Sequence, residues 1–162
     1  MPSSSTSRPP SPARVFPSSG FHKFAKSRRV DEESYSWYSP KEFFPVRIGE
    51  LIRDRYQVIT KLGYGTSSTS WLCRDLRGHR YVAIKVYAAN QSQAKREIAA
   101  VKHLHEVLNN KLVTNCGGAQ FIRLLHESCE LEDPRSSNQN LCLIYERMGM
   151  FLADLRRVAC NN

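Results

Sequence analysis

From Tyr56 onward the chain alternates between short β-branched or aromatic runs and polar breaks. "YQVITKLG" (56–63) reads as a strand closed by a glycine, and "SSTSWLCRDL" (67–76) reads as a second strand. "YVAIKVYA" (81–88) is a third, with the apolar content of a buried one. The links at Gly63–Tyr64–Gly65 and "RGHR" (77–80) are short enough for an antiparallel meander. The period then changes. Within 92–109, Ala94, Ile98, Val101, Leu104 and Leu108 recur at steps of three and four, which makes one apolar stripe on a helix with Asn90 or Ser92 as N-cap. "QFIRLLHESCEL" (120–131) and "LCLIYE" (141–146) return to strand around the polar turn "EDPRSSNQN" (132–140), and "FLADLRRVA" (151–159) starts another helix. The predicted order is β-β-β-α-β-β-α. It is an α+β fold: a five-stranded antiparallel sheet, one main helix and the start of a further helix.

Composition changes this picture at the N-terminus. "MPSSSTSRPPSPARVFPSSG" (1–20) is rich in Ser and Pro and nearly empty of branched apolar residues, too little to offset the entropy of ordering. Residues 1–34 are therefore expected to be a disordered tail. The lack of acids there also fits a mitochondrial transit peptide, a minority reading because Pro2, Pro9, Pro10, Pro12 and Pro17 would break its helix. At Tyr35 the aromatic leader "YSWYSPKEFFPVRIGELI" (35–52) begins, expected as part of a leader over 35–54 that packs on a lobe spanning 55–149, with 150–162 as the exit from that lobe.

Charge narrows the partners. The net charge is +9, but residues 1–30 hold six Lys or Arg and no acid, leaving +3 for the rest. A basic tail without interleaved aromatics does not predict direct nucleic-acid binding. The five cysteines are odd in number, form no C-x-x-C pair and complete no zinc pattern with the histidines, so no metal site is expected and reduced thiols in the cytoplasm or nucleus are. The longest apolar run, "LCLIY" (141–145), is too short to cross a membrane.

Three readings of the two glycines compete. A dinucleotide turn needs a helix after it, a third glycine and an acid about 20 residues on. Here the third position is Ser68, Lys85 stands where the acid should, and "SSTSWLC" is not helical. A Walker loop needs G-K-[ST], which does not occur. A plain hairpin turn remains open for an isolated G-x-G. The third reading is a strand-turn-strand lid whose backbone N–H groups approach ATP phosphates because the glycines lack Cβ. Its other parts should then follow in order. "VAIK" (82–85) places Lys85 on the third strand, "REI" (96–98) offers Glu97 on the helix, and "LIYERMG" (143–149) follows a buried strand.

In that order, residues 35–157 resemble the N-terminal lobe of a eukaryotic protein kinase. Within that group they are most similar to the SR-protein kinases and their fungal relatives. The resemblance to these rests on "FPVRIGELI" (44–52) and "RYQVITKLGYGTSSTSWLCRDL" (55–76), with Ser68 for the third glycine, and on the leader-like "RVFPSSGF" (14–21). It implies ATP as ligand. Leu62, Gly63, Tyr64, Gly65, Thr66, Ser67 and Ser68 would form the lid, and Lys85 would hold the α- and β-phosphates while Glu97 fixes it. Ala83 and Ile59–Leu62 would cover the adenine with Ser70 at its face, Tyr145 would be the gatekeeper, and Glu146 and Met148 would meet the adenine edge through their main chains. Kinases mostly carry Val where Ser70 stands, and losing about two methyl groups costs on the order of 1 kcal/mol. Glu106 is the competing acid for Lys85, but nine positions along a helix put it about half a revolution from Glu97.

Mg2+ is expected for the family, yet H-R-D-x-x-x-x-N, D-F-G and A-P-E do not occur in these 162 residues. Asp133 and Asn138 have the D-x-x-x-x-N spacing without a preceding His-Arg, in a polar turn. The resemblance thus implies the ATP-binding portion of a serine/threonine kinase, with Arg-Ser-rich proteins as substrate class, truncated and inactive as this chain. A non-catalytic module that binds nucleotide or a partner is the alternative.

Overall fold

The computed structural model describes residues 8–25, 27–89, 92–109 and 125–147. Its strands are β1 (Leu51–Ile52), β2 (Tyr56–Gly65), β3 (Ser68–Asp75), β4 (Arg80–Tyr87), β5 (Leu125–Glu132) and β6 (Gln139–Glu146). One helix, α1 (Ser92–Asn109), joins β4 to β5, and a 3-10 turn spans Asp31–Ser34. All neighbours pair antiparallel in the order β1-β2-β3-β4-β6-β5. The five expected strands and the main helix are present. The sixth strand, β1, adds two residues to the edge of β2, where Leu51 faces Gln57 and Ile52 faces Tyr56. The helix expected over 151–159 lies outside the described residues, as do 120–124 of the expected fourth strand.

The crossover places β6, not β5, beside β4, so the strand that ends in Glu146 lies inside the sheet. Strand alternation then builds two clusters. On one face Val82, Ile84 and Val86 join Tyr56, Val58, Cys73, Cys142 and Ile144, all buried. On the other face, Tyr87, Leu143 and Tyr145 meet Ala94, Ile98 and Val101 along the predicted stripe of α1. Burying side chains of this size contributes about 1.5–3 kcal/mol each.

Phe44 and Val46 of the aromatic leader cover the first cluster together with Trp71. The leader is fixed through its backbone. The buried Asn140 donates from Nδ2 to the carbonyls of Glu42 and Tyr87, both at 2.9 Å, and Arg135 Nη2 donates to Phe43 O at 2.6 Å. The turn between β3 and β4 rests on Asp75, whose side chain is fully buried. Arg55 grips it in bidentate fashion, with both N···O distances 2.8 Å, and the N–H groups of Arg77 and Gly78 donate to its Oδ1 at 3.1 and 2.9 Å. Burial alone would push the Asp75 carboxyl up; Arg55 and the N–H groups of Gly78 and Arg77 outweigh it and hold the pKa below the ordinary value.

Part of the segment expected to be disordered lies against the sheet. Ser11 N–H donates to Leu76 O at 2.7 Å, and Arg14 and Gln57 exchange two hydrogen bonds of 2.8 and 2.7 Å. Phe16 approaches Gly49 so closely that a Cβ there would stand 3.3 Å from its ring, and Gly49 has a positive φ of 91° as well. A Ser/Pro segment buries little apolar surface, but it still carries donors and acceptors that satisfy β-turn carbonyls and the buried Gln57 amide.

Candidate nucleotide site

The register sets the site. Gly63 pairs with Ser70, Ser70 with Lys85, and Lys85 with Leu143, so these four residues form one row across four strands. The next row brings Leu72, Ala83 and Tyr145 together. Ala83 and Lys85 are two apart on β4 and share the face that meets α1.

The lid is the β2–β3 hairpin, with Thr66 and Ser67 as its two-residue tip between Gly65 and Ser68. Neither glycine has a positive φ. A Cβ at Gly63 would meet nothing within 4 Å, and one at Gly65 would meet only Ser68 O at 4.0 Å. Backbone geometry and internal packing therefore give no reason for glycine at either position. Leu62 sits at a register shift between Lys61 and Gly63, and Leu62 and Tyr64 are both exposed. The tip is anchored to the helix side, since Ser67 Oγ lies 2.7 Å from Gln93 Oε1 and Ala88 N–H donates to Ser67 O at 2.9 Å.

Lys85 Nζ donates to Glu97 Oε2 at 2.6 Å, with both side chains partly buried. Glu97 also accepts from Tyr87 OH on Oε2 and from Tyr145 OH on Oε1. Burial pushes the Glu97 carboxyl up, but the bonds from Lys85, Tyr145 and Tyr87 prevail and hold its pKa below the ordinary value. Burial raises the Tyr87 hydroxyl, and the hydrogen bond to Glu97 raises it further, so it stays a donor. Lys85 also stands 4.7 Å from the centre of the Tyr87 ring. The arrangement is an ionised carboxylate with three donors, one of them a cation on the row of the lid glycine.

Glu106, the competing acid, is exposed and 4.0 Å from His103. Asp133 holds Arg135 and closes the β5–β6 turn, with its N–H on Asn138 O at 3.0 Å; this accounts for the Asp–Asn spacing without chemistry. Glu146 is exposed at the end of β6, and Met148 lies outside the described residues. Among the described residues no group of three His, Cys, Asp or Glu is arranged to hold a metal ion. Tyr87 was not expected at the site. Its signal was position: two residues after Lys85 on a strand, it must share that lysine's face. A cavity of about 370 Å³ opens nearby between Tyr87, Ser92, Lys95, Glu130 and Leu141, but it shares only Tyr87 with the site.

The end of the N-terminal segment and the start of the leader touch the β2–β3 hairpin. Lys61 on β2 pairs with the buried Glu32 and, at 3.6 Å, with Asp31. Tyr35 stacks on Trp37 with ring centres 5.3 Å apart and reaches Tyr64 at 6.2 Å.

No family model matches the chain. It is 39% identical over 137 residues to a serine/threonine protein kinase of Aspergillus fumigatus, covering 85% of this chain and 33% of that protein. It is 34% identical to SRSF protein kinase 3 of Sus scrofa, covering 64% of this chain and 18% of that kinase, and 28% identical to the serine/threonine-protein kinase spk-1 of Caenorhabditis elegans, covering 77% and 12%. A crystallised kinase domain superposes with a TM-score of 0.53 over 69% of this chain and 30% of that domain, at 23% identity, a likeness of fold. The chain spans about a third of the length of the fungal relatives it matches.

Proposed function

We propose, from the premise that this chain is homologous to serine/threonine protein kinases and has the fold of their N-terminal lobe, that it binds ATP as the nucleotide-holding portion of such an enzyme. The observation that carries this reading is the Lys85–Glu97 pair on the same strand row as a glycine that the fold itself does not require.

In this reading the lid N–H groups and Lys85 orient the phosphates, which carry most of the charge that phosphoryl transfer must manage. Glu97 holds the Lys85 ammonium, and Tyr87 and Tyr145 hold Glu97. Ala83 and the main chain at the end of β6 would receive the adenine, with Ser70 beside them in place of a larger apolar side chain. Mg2+ bound with the nucleotide would supply charge neutralisation; no residue of this chain is assigned to it. The similarity to SRSF protein kinase 3 supports Arg-Ser-rich proteins as the substrate class of the whole enzyme. The cysteine usage supports a cytoplasmic or nuclear location.

Titration of the chain with a fluorescent ATP analogue tests the reading. Saturable binding that unlabelled ATP displaces is expected. Absence of saturable binding by folded protein would overturn it and leave the partner-binding module.

A further inference from the structure

Three buried thiols lie in one core cluster, those of Cys73, Cys129 and Cys142. Two of them face each other. Cys129 on β5 and Cys142 on β6 are direct partners in the antiparallel register, so their side chains leave the sheet on the same face. We propose that Cys129 and Cys142 are a redox pair that hydrogen peroxide converts into a cross-strand disulfide.

Geometry makes the pairing specific. Opposed residues of an antiparallel pair have Cα atoms about 4.5–5.5 Å apart, inside the range of roughly 4.4–6.8 Å that a disulfide spans. The register alone thus puts the two Cα atoms within bridging range. Cys73 is on β3, separated from β6 by β4. Two strand spacings amount to about 9–10 Å, beyond the reach of roughly 7 Å at which a bridge fails. The third thiol of the cluster is a spectator.

The chemistry is asymmetric. Cys129 keeps 8% of its surface exposed, whereas Cys142 and Cys73 keep none. The Cys142 thiol donates a hydrogen bond to Cys129, and Arg53 in the β1–β2 turn adds a second donor and a positive charge. These outweigh burial and the nearby Glu127 carboxylate, and they lower Cys129 to about 7. Cys142 is raised by its bond to Cys129 and by burial. The less deeply buried member is thus the more acidic thiol, and the enclosed member keeps its proton.

The Cys129 thiolate sulfur attacks one peroxide oxygen and the O–O bond breaks. The departing hydroxide takes a proton to become water, leaving a sulfenic acid. Cys142 then attacks the Cys129 sulfur, the S–O bond breaks, and hydroxide leaves with the Cys142 proton as a second water. Two thiols and one peroxide give one disulfide and two waters. The bridge would tie the edge strand β5 to the strand that carries Tyr145 and Glu146.

Trypsin separates all five cysteines, with Cys129 on residues 124–135 and Cys142 on residues 136–147. The folded chain is treated with hydrogen peroxide, its remaining thiols are blocked, and the digest is mapped by mass spectrometry without reductant. The expected product links those two peptides at two hydrogens below their summed mass and disappears with dithiothreitol. Native alkylation near neutral pH should label Cys129 about tenfold or more faster than Cys73. In Cys142→Ser, dimedone should trap a sulfenic acid on Cys129. No linked pair, a bridge that uses Cys73, Cys116 or Cys160 in its place, or an unreactive Cys129 in folded Cys142→Ser would each overturn the proposal. If that variant does not fold, the map of the unaltered chain decides.

Discussion

Tyr145 and Glu97 join the end of the sheet to the helix through one hydrogen bond, from the Tyr145 hydroxyl to Glu97 Oε1. Tyr87 and Lys85 occupy the other oxygen, at Oε2. A carboxylate held on both sides cannot swing away from Lys85 without breaking its bonds from Tyr87 and Tyr145. Position of the helix and position of the cation are therefore one variable.

Removing one donor at a time should show this. Tyr145→Phe keeps the ring and deletes the hydroxyl, and a hydrogen bond to a charged group is worth roughly 1.5–3 kcal/mol. Urea unfolding should register a loss toward the lower end of that range, with Tyr87→Phe similar. A double variant whose loss equals the sum would contradict a shared role at Glu97, because neighbours on one carboxylate should couple.

Acid should weaken the lobe through two named groups. Asp75 and Glu97 are held below their ordinary values of 3.8 and 4.5. A lowered folded-state pKa contributes stability that is fully present above the unfolded value and is lost as pH falls through the folded one. Stability should hold from neutral pH to about 5 and decline below about 4. Asp75→Asn should flatten part of that decline; an unchanged acid slope would contradict the assignment.

The glycines should separate by function. A Cβ on Gly78 would stand 2.3 Å from Asp75 Oδ2 and 2.9 Å from its Cγ, with the carboxylate pinned by Arg55. Gly78→Ala should therefore cost about 1–3 kcal/mol in urea unfolding. Gly63→Ala meets nothing within 4 Å, so it should leave stability nearly unchanged while weakening nucleotide binding. A Gly63→Ala chain that unfolds earlier but binds ATP normally would reverse the reading of the lid.

Deletion of residues 1–34 removes Ser11, Arg14 and Glu32 from their partners on the sheet and strips Lys61 of both its acids. The shortened chain should melt several degrees lower, since about 1 kcal/mol shifts the midpoint by roughly 2–8 °C in domains of this size range. Deletion of residues 1–7 is the control. Equal melting temperatures for the long deletion and the intact chain would mean that these contacts contribute nothing.

Much of this was legible in the sequence because periodicity and spacing report backbone geometry directly. The stripe from Ala94 to Val101 located α1, whereas the pairing of Lys85 in "VAIK" with Glu97 in "REI" followed from the kinase resemblance. Three features were not legible. Leu51–Ile52 is too short for a period to show, and it becomes a strand only because β2 lies beside it. Tyr87 shares the face of Lys85 by strand alternation, but nothing local to it reveals that a carboxylate from α1 arrives at its hydroxyl. The placement of Ser11 and Arg14 depends on partners 43 and more residues away, Gln57 and Leu76, which composition cannot register.

The central claim is that Lys85 addresses phosphate. Isothermal titration of the chain and of Lys85→Ala with ATP and with adenosine tests it most directly. Lys85 supplies a charge-assisted contact worth roughly 1.5–3 kcal/mol, and 1.4 kcal/mol is about a factor of ten. ATP affinity should fall about tenfold or more in the variant, while adenosine, which has no phosphates, should change by less than about twofold. Equal losses for both ligands would contradict the claim and make Lys85 a support of the fold.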